Sequence, residues 1–301
     1  MRLNSDGNLD QTFYLGGFNN FVRAIALQPD GKILVGGQFT NYDGEFAGHI
    51  IRLNSDGSID NTFSIGTGFN SIVRSIKLQS NGKILCVGNF ISYNGINIGN
   101  MVRLNSDGSL DVTFNINTGF DDMVNVVTLQ SDGKILAGGY LTTYAGQSSN
   151  HIVRLNSDGT IDTSFVVGVG FNNEVYAIEV QSDGKVIVGG NFYDDGYYDN
   201  NKCNSIARLN SDGSLENTFG FGFDNGYVTS ISIQSDGKIL VGGKFGNYYY
   251  NGDTIYSPSF IRLNPDGSPD ISFIYTQNSY NYGWNLSGGV NSLELQSDGK
   301  I

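Results

Sequence analysis

Tyrosine, aspartate and asparagine crowd three short stretches of this chain, and side chains of those types in one place are equipped to bind rather than to react. One stretch is Asp194-Asp195-Gly196-Tyr197-Tyr198-Asp199-Asn200-Asn201. A second holds Tyr248, Tyr249 and Tyr250, with Tyr256 close behind, and a third holds Tyr280, Tyr282 and the sole tryptophan, Trp284. An aromatic face offers apolar surface to the C–H side of a sugar ring, while neighbouring amides and carboxylates satisfy its hydroxyls. The candidate ligand-binding residues are therefore Tyr197, Tyr198, Tyr248, Tyr249, Tyr250, Tyr280, Tyr282 and Trp284, for a glycan or a protein surface. Asp194, Asp195 and Asp199 form a second candidate, for calcium, because a hard cation takes six to eight oxygen ligands. That loop lacks the D-x-D-x-D-G-x5-E spacing of an EF-hand, so the sequence demands no cofactor. The plain alternative is that these residues fill long, solvated, acidic loops.

Signals for catalysis are sparse. The two histidines, His49 and His151, stand at matching points before a recurring strand, which marks them as loop-to-strand residues rather than general bases. No G-x-S-x-G, H-E-x-x-H or glycine-rich phosphate loop occurs. Cys86 and Cys203 fall in repeat copies that are not adjacent, so no disulfide between them is expected. A non-enzymatic protein is expected; the enzyme alternative is glycan cleavage by a carboxylate pair, whose separation nothing in the sequence fixes. With 29 acidic against 17 basic residues the net charge is −12, which repels phosphate backbones and excludes nucleic acid as the expected partner. No apolar run approaches the roughly 18 residues of a membrane span, so membrane insertion is not expected either.

These loops hang on a repeated scaffold. The arginine of an R-L-N triplet returns at Arg2, Arg52, Arg103, Arg154, Arg208 and Arg262, at intervals of 50 to 54 residues. A period of that length means one supersecondary unit copied in tandem. In the second copy, four strands are predicted: Val73 to Gln79, Lys83 to Phe90, Met101 to Asn105 and Ser109 to Phe114. Q-S-D-G-K or a close variant joins first to second and N-S-D-G-S joins third to fourth, each a three-residue hairpin loop that delivers its Gly to the left-handed region. Proline replaces serine at Pro29 and Pro265, where a type I turn favours it. The hairpin register then sets Arg52 opposite Asp60, and likewise Arg2 opposite Asp10, Arg103 opposite Asp111, Arg154 opposite Asp162, Arg208 opposite Glu216 and Arg262 opposite Asp270. Opposed charges on paired strands are expected to be scaffolding.

Four antiparallel strands per unit without a helical period describe a β-propeller. The chain reads as one all-β domain, residues 1–301, with about six repeats visible. A half blade covers 1–13, full blades cover about 21–63, 72–114, 123–165, 174–219 and 227–273, and a partial blade covers 290–301. Gly36-Gly37, Gly138-Gly139, Gly189-Gly190 and Gly242-Gly243 recur in the second strand, where missing side chains let a neighbour's backbone approach. In the second copy Val87 takes the first place, to be absorbed by a local shift. Both ends fall inside repeats, so an excerpt of a longer repeat protein is expected; the alternative is six blades closed by strand exchange between the termini.

The combination of R-L-N-S-D-G-S-L-D-x-T-F with Q-S-D-G-K-I-L-V-G-G-x-F resembles the delta-sixty repeat family of bacterial and viral β-propellers, over essentially the whole chain. The resemblance implies a propeller in a large cell-surface or secreted protein and carries over no catalytic residue. Function is then sought where the copies differ. The two hairpin turns keep their length, whereas Phe39 to Arg52 takes 13 positions and Phe245 to Arg262 takes 17. Acids outside the repeat positions, among them Asp43, Glu45, Asp121, Asp224 and Asp253, lie in these variable connections. The expectation is a structural and adhesive module of a surface, secreted or virion protein, extracellular in setting, that recognises glycan or protein through its variable loop face. The rivals are a glycan-cleaving propeller enzyme and a purely architectural spacer.

Overall fold

Short apolar runs alternating with glycine turns give strands of two to seven residues, and every regular element described is a strand. The structure, a computed structural model, describes residues 1–14, 16–192, 197–198, 201–219, 222–224, 226–257, 259–273, 289–296 and 298–301, with backbone alone at 197–198 and 201–202. Contacts divide it into two compact units. One comprises Met1–Ile135, Thr143–Gln147 and Asn156–Thr160; the other comprises Leu136–Thr142, Ser148–Leu155 and Ile161–Ile301. The third copy falls across this division.

The first unit holds two antiparallel blades, Val22–Leu27/Ile33–Gly37/Ile50–Leu53 and Val73–Leu78/Ile84–Gly88/Met101–Leu104, with the second strand central in each. The second unit repeats the arrangement in Val175–Val180/Val186–Gly190/Ile206–Leu209 and Tyr227–Ile233/Ile239–Lys244/Phe260–Leu263. The fourth strand contracts to a single bridge, such as Leu104 to Leu110. Its physical reason is Asp111, whose Oδ1 accepts from the backbone N and the hydroxyl of Thr113 and so turns the chain immediately after the bridge. The hairpin turns follow expectation. Gly57 has φ of +88° and its N donates to Asn54 O at 2.9 Å, while Asn54 N donates to Ser58 O at 2.8 Å.

The charge pairs form as the register requires, with Arg Nε 2.6–2.8 Å from its carboxylate in all six copies. A lysine from the first hairpin turn joins in at least four of them: Lys32 with Asp60, Lys83 with Asp111, Lys185 with Glu216 and Lys238 with Asp270. Each guanidinium also lies over the phenylalanine that ends its own phrase, for example Arg103 at 4.5 Å from the Phe114 centroid. Cores form where one blade meets the next. In the first unit Leu34 and Ile50 pack with Val73, Ile76, Ile84, Cys86 and Phe90. In the second, Ala177, Ile187 and Ile206 pack with Val228, Ile231, Ile239 and Val241.

The paired glycines have two duties. The second of each pair admits backbone: a Cβ at Gly37, Gly88, Gly190 or Gly243 would strike the carbonyl oxygen of Phe21, Ile72, Glu174 or Tyr227. The first admits side chains instead, since a Cβ at Gly36 would lie 2.7 Å from Val73 Cγ1 and 2.9 Å from Ile76 Cδ1. Val87 is tolerated because the residue at the Ile76 position of the following copy is the smaller Val127, and both are fully buried. The smaller residue at 127 leaves volume where the Val87 side chain adds it.

Candidate binding face

The connection between second and third strands contains a hairpin that turns on Asp43-Gly44, Asn94-Gly95, Ala145-Gly146 or Asn251-Gly252, with both residues at positive φ. Such pairs suit a two-residue type I′ turn. Two residues per arm suffice in the early copies, as in Ser92–Tyr93 with Ile96–Asn97. In the fifth copy the ribbon grows to four per arm, Asn247–Tyr250 with Asp253–Tyr256, and Gly222–Phe223 from the incoming connection adds a third strand.

Alternation along this ribbon decides which tyrosines can meet a ligand. Tyr248 points inward. It is fully buried, and its hydroxyl donates to Gly267 O at 2.7 Å. Tyr42, Tyr93 and Tyr144 are buried likewise and donate to Gly57, Gly108 and Gly159. Tyr248 is thus a core residue and is removed from the ligand-binding set; an F-x-x-Y spacing at Phe39/Tyr42, Phe90/Tyr93 and Phe245/Tyr248 was the signal that marks it. Tyr250 leans the same way, its ring stacked 6.5 Å from that of Tyr248. Tyr249 and Tyr256 take the opposite face, with Asn247 and Thr254 between them by register. Tyr256 is exposed.

Asp224 anchors this face from beneath. It accepts from Asn247 N at 2.6 Å, Asn247 Nδ2 at 2.8 Å and the Tyr249 hydroxyl at 3.1 Å. Burial alone would raise its carboxyl, but these donors outweigh burial and hold it below the usual carboxylate range, while the Tyr249 phenol is raised by the same bond. Asn19 and Asn70 receive backbone N–H groups in the same place in earlier copies, and so does Asp121. Asp121 and Asp224 therefore brace the ribbon and are not loose loop charges. The arrangement offers two tyrosine rings, an amide and a hydroxyl, with the carboxylate already committed.

The remaining candidates distribute unevenly. Tyr197 and Tyr198 lie on the fourth copy's ribbon, paired in backbone with Lys202 and Asn201. Asp194, Asp195, Asp199, Tyr280, Tyr282 and Trp284 lie outside the described residues, and among the described residues no cluster could hold a metal ion. His49 stands at φ +68° with Nδ1 3.2 Å from Gly37 O, and burial lowers its pKa. His151, Asn100, Ser205 and Ser259 hold the same backbone conformation in other copies, so the position takes a polar residue at a left-handed corner. A cavity of about 300 Å³ in the first unit is lined by Thr62, Tyr93, Asn94, Ile96, Asp107 and Ser109. Its polar groups are spent internally: Ser109 donates to Asp107, Tyr93 to Gly108, and Thr62 to Asp60.

Fold and repeat together define a β-propeller. The chain matches the family described as "Domain of unknown function (DUF5122) beta-propeller" over residues 28–63, 79–114, 130–165, 181–219 and 234–273, more than half its length, and belongs to that family. No curated protein matches it in sequence. Among solved structures it is similar to the extracellular domain of a proposed one-component system, BT4673 of B. thetaiotaomicron, at 17% identity and a TM-score of 0.50, covering 83% of this chain and 29% of that one. It is also similar to PorZ, a surface component of the type-IX secretion system of Porphyromonas gingivalis, at 14% identity and a TM-score of 0.50, covering 88% of this chain and 35% of that one. At these identities the likeness is one of fold, and the chain spans about a third or less of either relative.

Proposed function

We propose that this chain is a non-enzymatic propeller that serves as a structural and adhesive module of a larger surface, secreted or virion protein, binding glycan or protein through its variable connections. The observation that carries this reading is the fifth-copy ribbon, lengthened where the turns are constant, with Tyr249 and Tyr256 on its outer face and Asp224 bracing it. Fold neighbours named as an extracellular domain and as a bacterial surface component support an extracellular setting. The resemblance of the repeat motifs to the delta-sixty family, which implies large cell-surface or secreted proteins, supports the same reading.

The test is a glycan and protein array probed with the chain and with the double variant Tyr249→Ala/Tyr256→Ala. Retention of a ligand without turnover, lost in the variant, is the expected result. Release of cleaved product would make the protein a glycan-cleaving enzyme. An empty array would leave the architectural spacer as the better reading.

A further inference from the structure

The first strand of a copy carries a β-bulge near its start, between Val22 and Ala24, Val73 and Ser75, Val175 and Ala177, and Val228 and Ser230. A bulge leaves its extra residue out of the ladder and re-aims that side chain. The extra residues are Arg23, Arg74, Tyr176 and Thr229, so the backbone device is constant while the chemistry it presents is not. The residue just before each valine behaves likewise. Its carbonyl oxygen accepts from the residue after the glycine pair, Gln38 N to Phe21 O at 2.8 Å, Asn89 N to Ile72 O at 3.0 Å and Asn191 N to Glu174 O at 2.9 Å, whatever side chains stand there. A fixed main chain under changing side chains is the arrangement by which a rigid scaffold carries a binding site.

In the fourth and fifth copies, both within the second unit, these positions assemble a cluster. The Tyr176 hydroxyl donates to the Glu174 carboxylate, and the Tyr176 ring meets that of Tyr227 edge to face, with centroids 6.0 Å apart and planes at 74°. Both tyrosines are only half-buried. Tyr227 is the register partner of Lys244, which holds the place of Asn191 after its own glycine pair. Lys244 is exposed, and among the described residues no carboxylate pairs with it, whereas Lys32, Lys83, Lys185 and Lys238 each have one. The blade itself does not require these side chains. The second copy builds the same main chain with Ile72, Arg74 and Asn89 in their places.

We infer that Glu174, Tyr176, Tyr227 and Lys244 form a further glycan subsite, for a sugar ring that bears a carboxylate, as a uronate does. The inference rests on the glycan-binding reading above and goes beyond it in naming the sugar and a second place for it. The phenol rings offer apolar surface to the C–H side of a sugar. The Lys244 ammonium offers a charge-assisted hydrogen bond to a carboxylate, the one group that a neutral sugar lacks. An ionised carboxylate has about four lone-pair sites, so Glu174 can accept from a sugar hydroxyl as well as from Tyr176. The net charge of −12 disfavours a polyanion, which limits the ligand to an isolated acidic unit.

The test is a calorimetric titration of the chain with methyl β-glucuronide, with methyl β-glucoside as the neutral comparison. Saturable binding that favours the glucuronide about tenfold is expected. Lys244→Gln should erase that preference and leave the glucoside unchanged. Tyr227→Ala should weaken both sugars, and Tyr227→Phe, which keeps the ring, should restore them. Lys244 is exposed, so an unchanged melting curve will certify that its variant folds. Equal affinity for the two sugars, or a preference that survives Lys244→Gln, overturns the inference. So does glucuronide binding lost in Tyr249→Ala/Tyr256→Ala and kept in Lys244→Gln, which would put the acidic sugar on the fifth-copy ribbon. No glucuronide binding by a chain that retains another glycan on the array overturns this inference alone, and an array empty of glycans overturns the reading beneath it as well.

Discussion

Arg154 reaches out of its own blade, its Nη1 donating to the carbonyl oxygen of Ser211 in the next hairpin at 2.6 Å while its Nε stays 2.7 Å from Asp162. Arg208 does the same toward Pro265 in the second unit, and Arg52 toward Ser106 in the first. The arginine of R-L-N is therefore an inter-blade tie as well as half of an ion pair. Its repetition explains why the phrase keeps its spacing although the loops between do not.

Replacing Arg154 by Ala should cost about 3 kcal/mol, because Asp162 would stay buried without its main counter-charge. Arg2→Ala should cost under about 1 kcal/mol, since the Arg2 side chain is 41% exposed and water screens the pair. Chemical denaturation of the two variants compares them directly. Equal losses would mean that burial does not set the worth of these pairs.

Acid should unfold the protein through the same carboxylates. Burial alone would raise Glu216, but Arg208 and Lys185 hold it down from an ordinary 4.5 to about 2. Asp60, Asp111 and Asp270 are also lowered by their lysine, arginine and Ser or Thr partners. A carboxyl with a depressed folded value contributes stability that is complete above its unfolded value and vanishes as pH falls through the folded one. Melting temperature should therefore hold level down to about pH 5 and drop steeply toward about pH 2. Glu216→Gln should start lower and fall less. A profile of constant melting temperature across that range would contradict the assignment.

The Arg–carboxylate pairs were legible because a three-residue turn leaves a single register, from which Arg52 must face Asp60. The core tyrosines were equally legible in F-x-x-Y, but three adjacent tyrosines at 248–250 look alike until strand alternation separates them. Less of the scaffold could be read where a side chain ends a strand early, as Asp111 does by accepting from Thr113. The duty of Gly36 was hidden too, because its partners Val73 and Ile76 lie a blade away and only packing brings them together.

Tyr248 and Tyr256 should respond oppositely to mutation. Tyr248→Phe removes a buried hydroxyl from Gly267 O and should cost about 1 kcal/mol while leaving ligand binding intact. Tyr256→Ala removes an exposed ring and should leave the melting temperature within about 1 °C, since surface changes rarely exceed ±0.5 kcal/mol. Any glycan or protein affinity found on the array should fall with Tyr256→Ala alone. The reverse pattern would place the binding surface elsewhere.

The pairing of Val87 with Val127 predicts how the blades can be redesigned. Gly189→Val would press a side chain into Val228 and Ile231, where even a Cβ lies 3.0 Å from Ile231 Cδ1, and should cost about 1–3 kcal/mol. Ile231→Val alone opens a small void and should cost about 1 kcal/mol. Together they recreate the arrangement the second copy already uses, so the double variant should be more stable than the sum of the singles implies, by at least about 0.5 kcal/mol. A double-mutant cycle by urea denaturation measures this term. Strict additivity would mean that Val87 is tolerated by backbone adjustment after all, and that the smaller residue at 127 has no part in it.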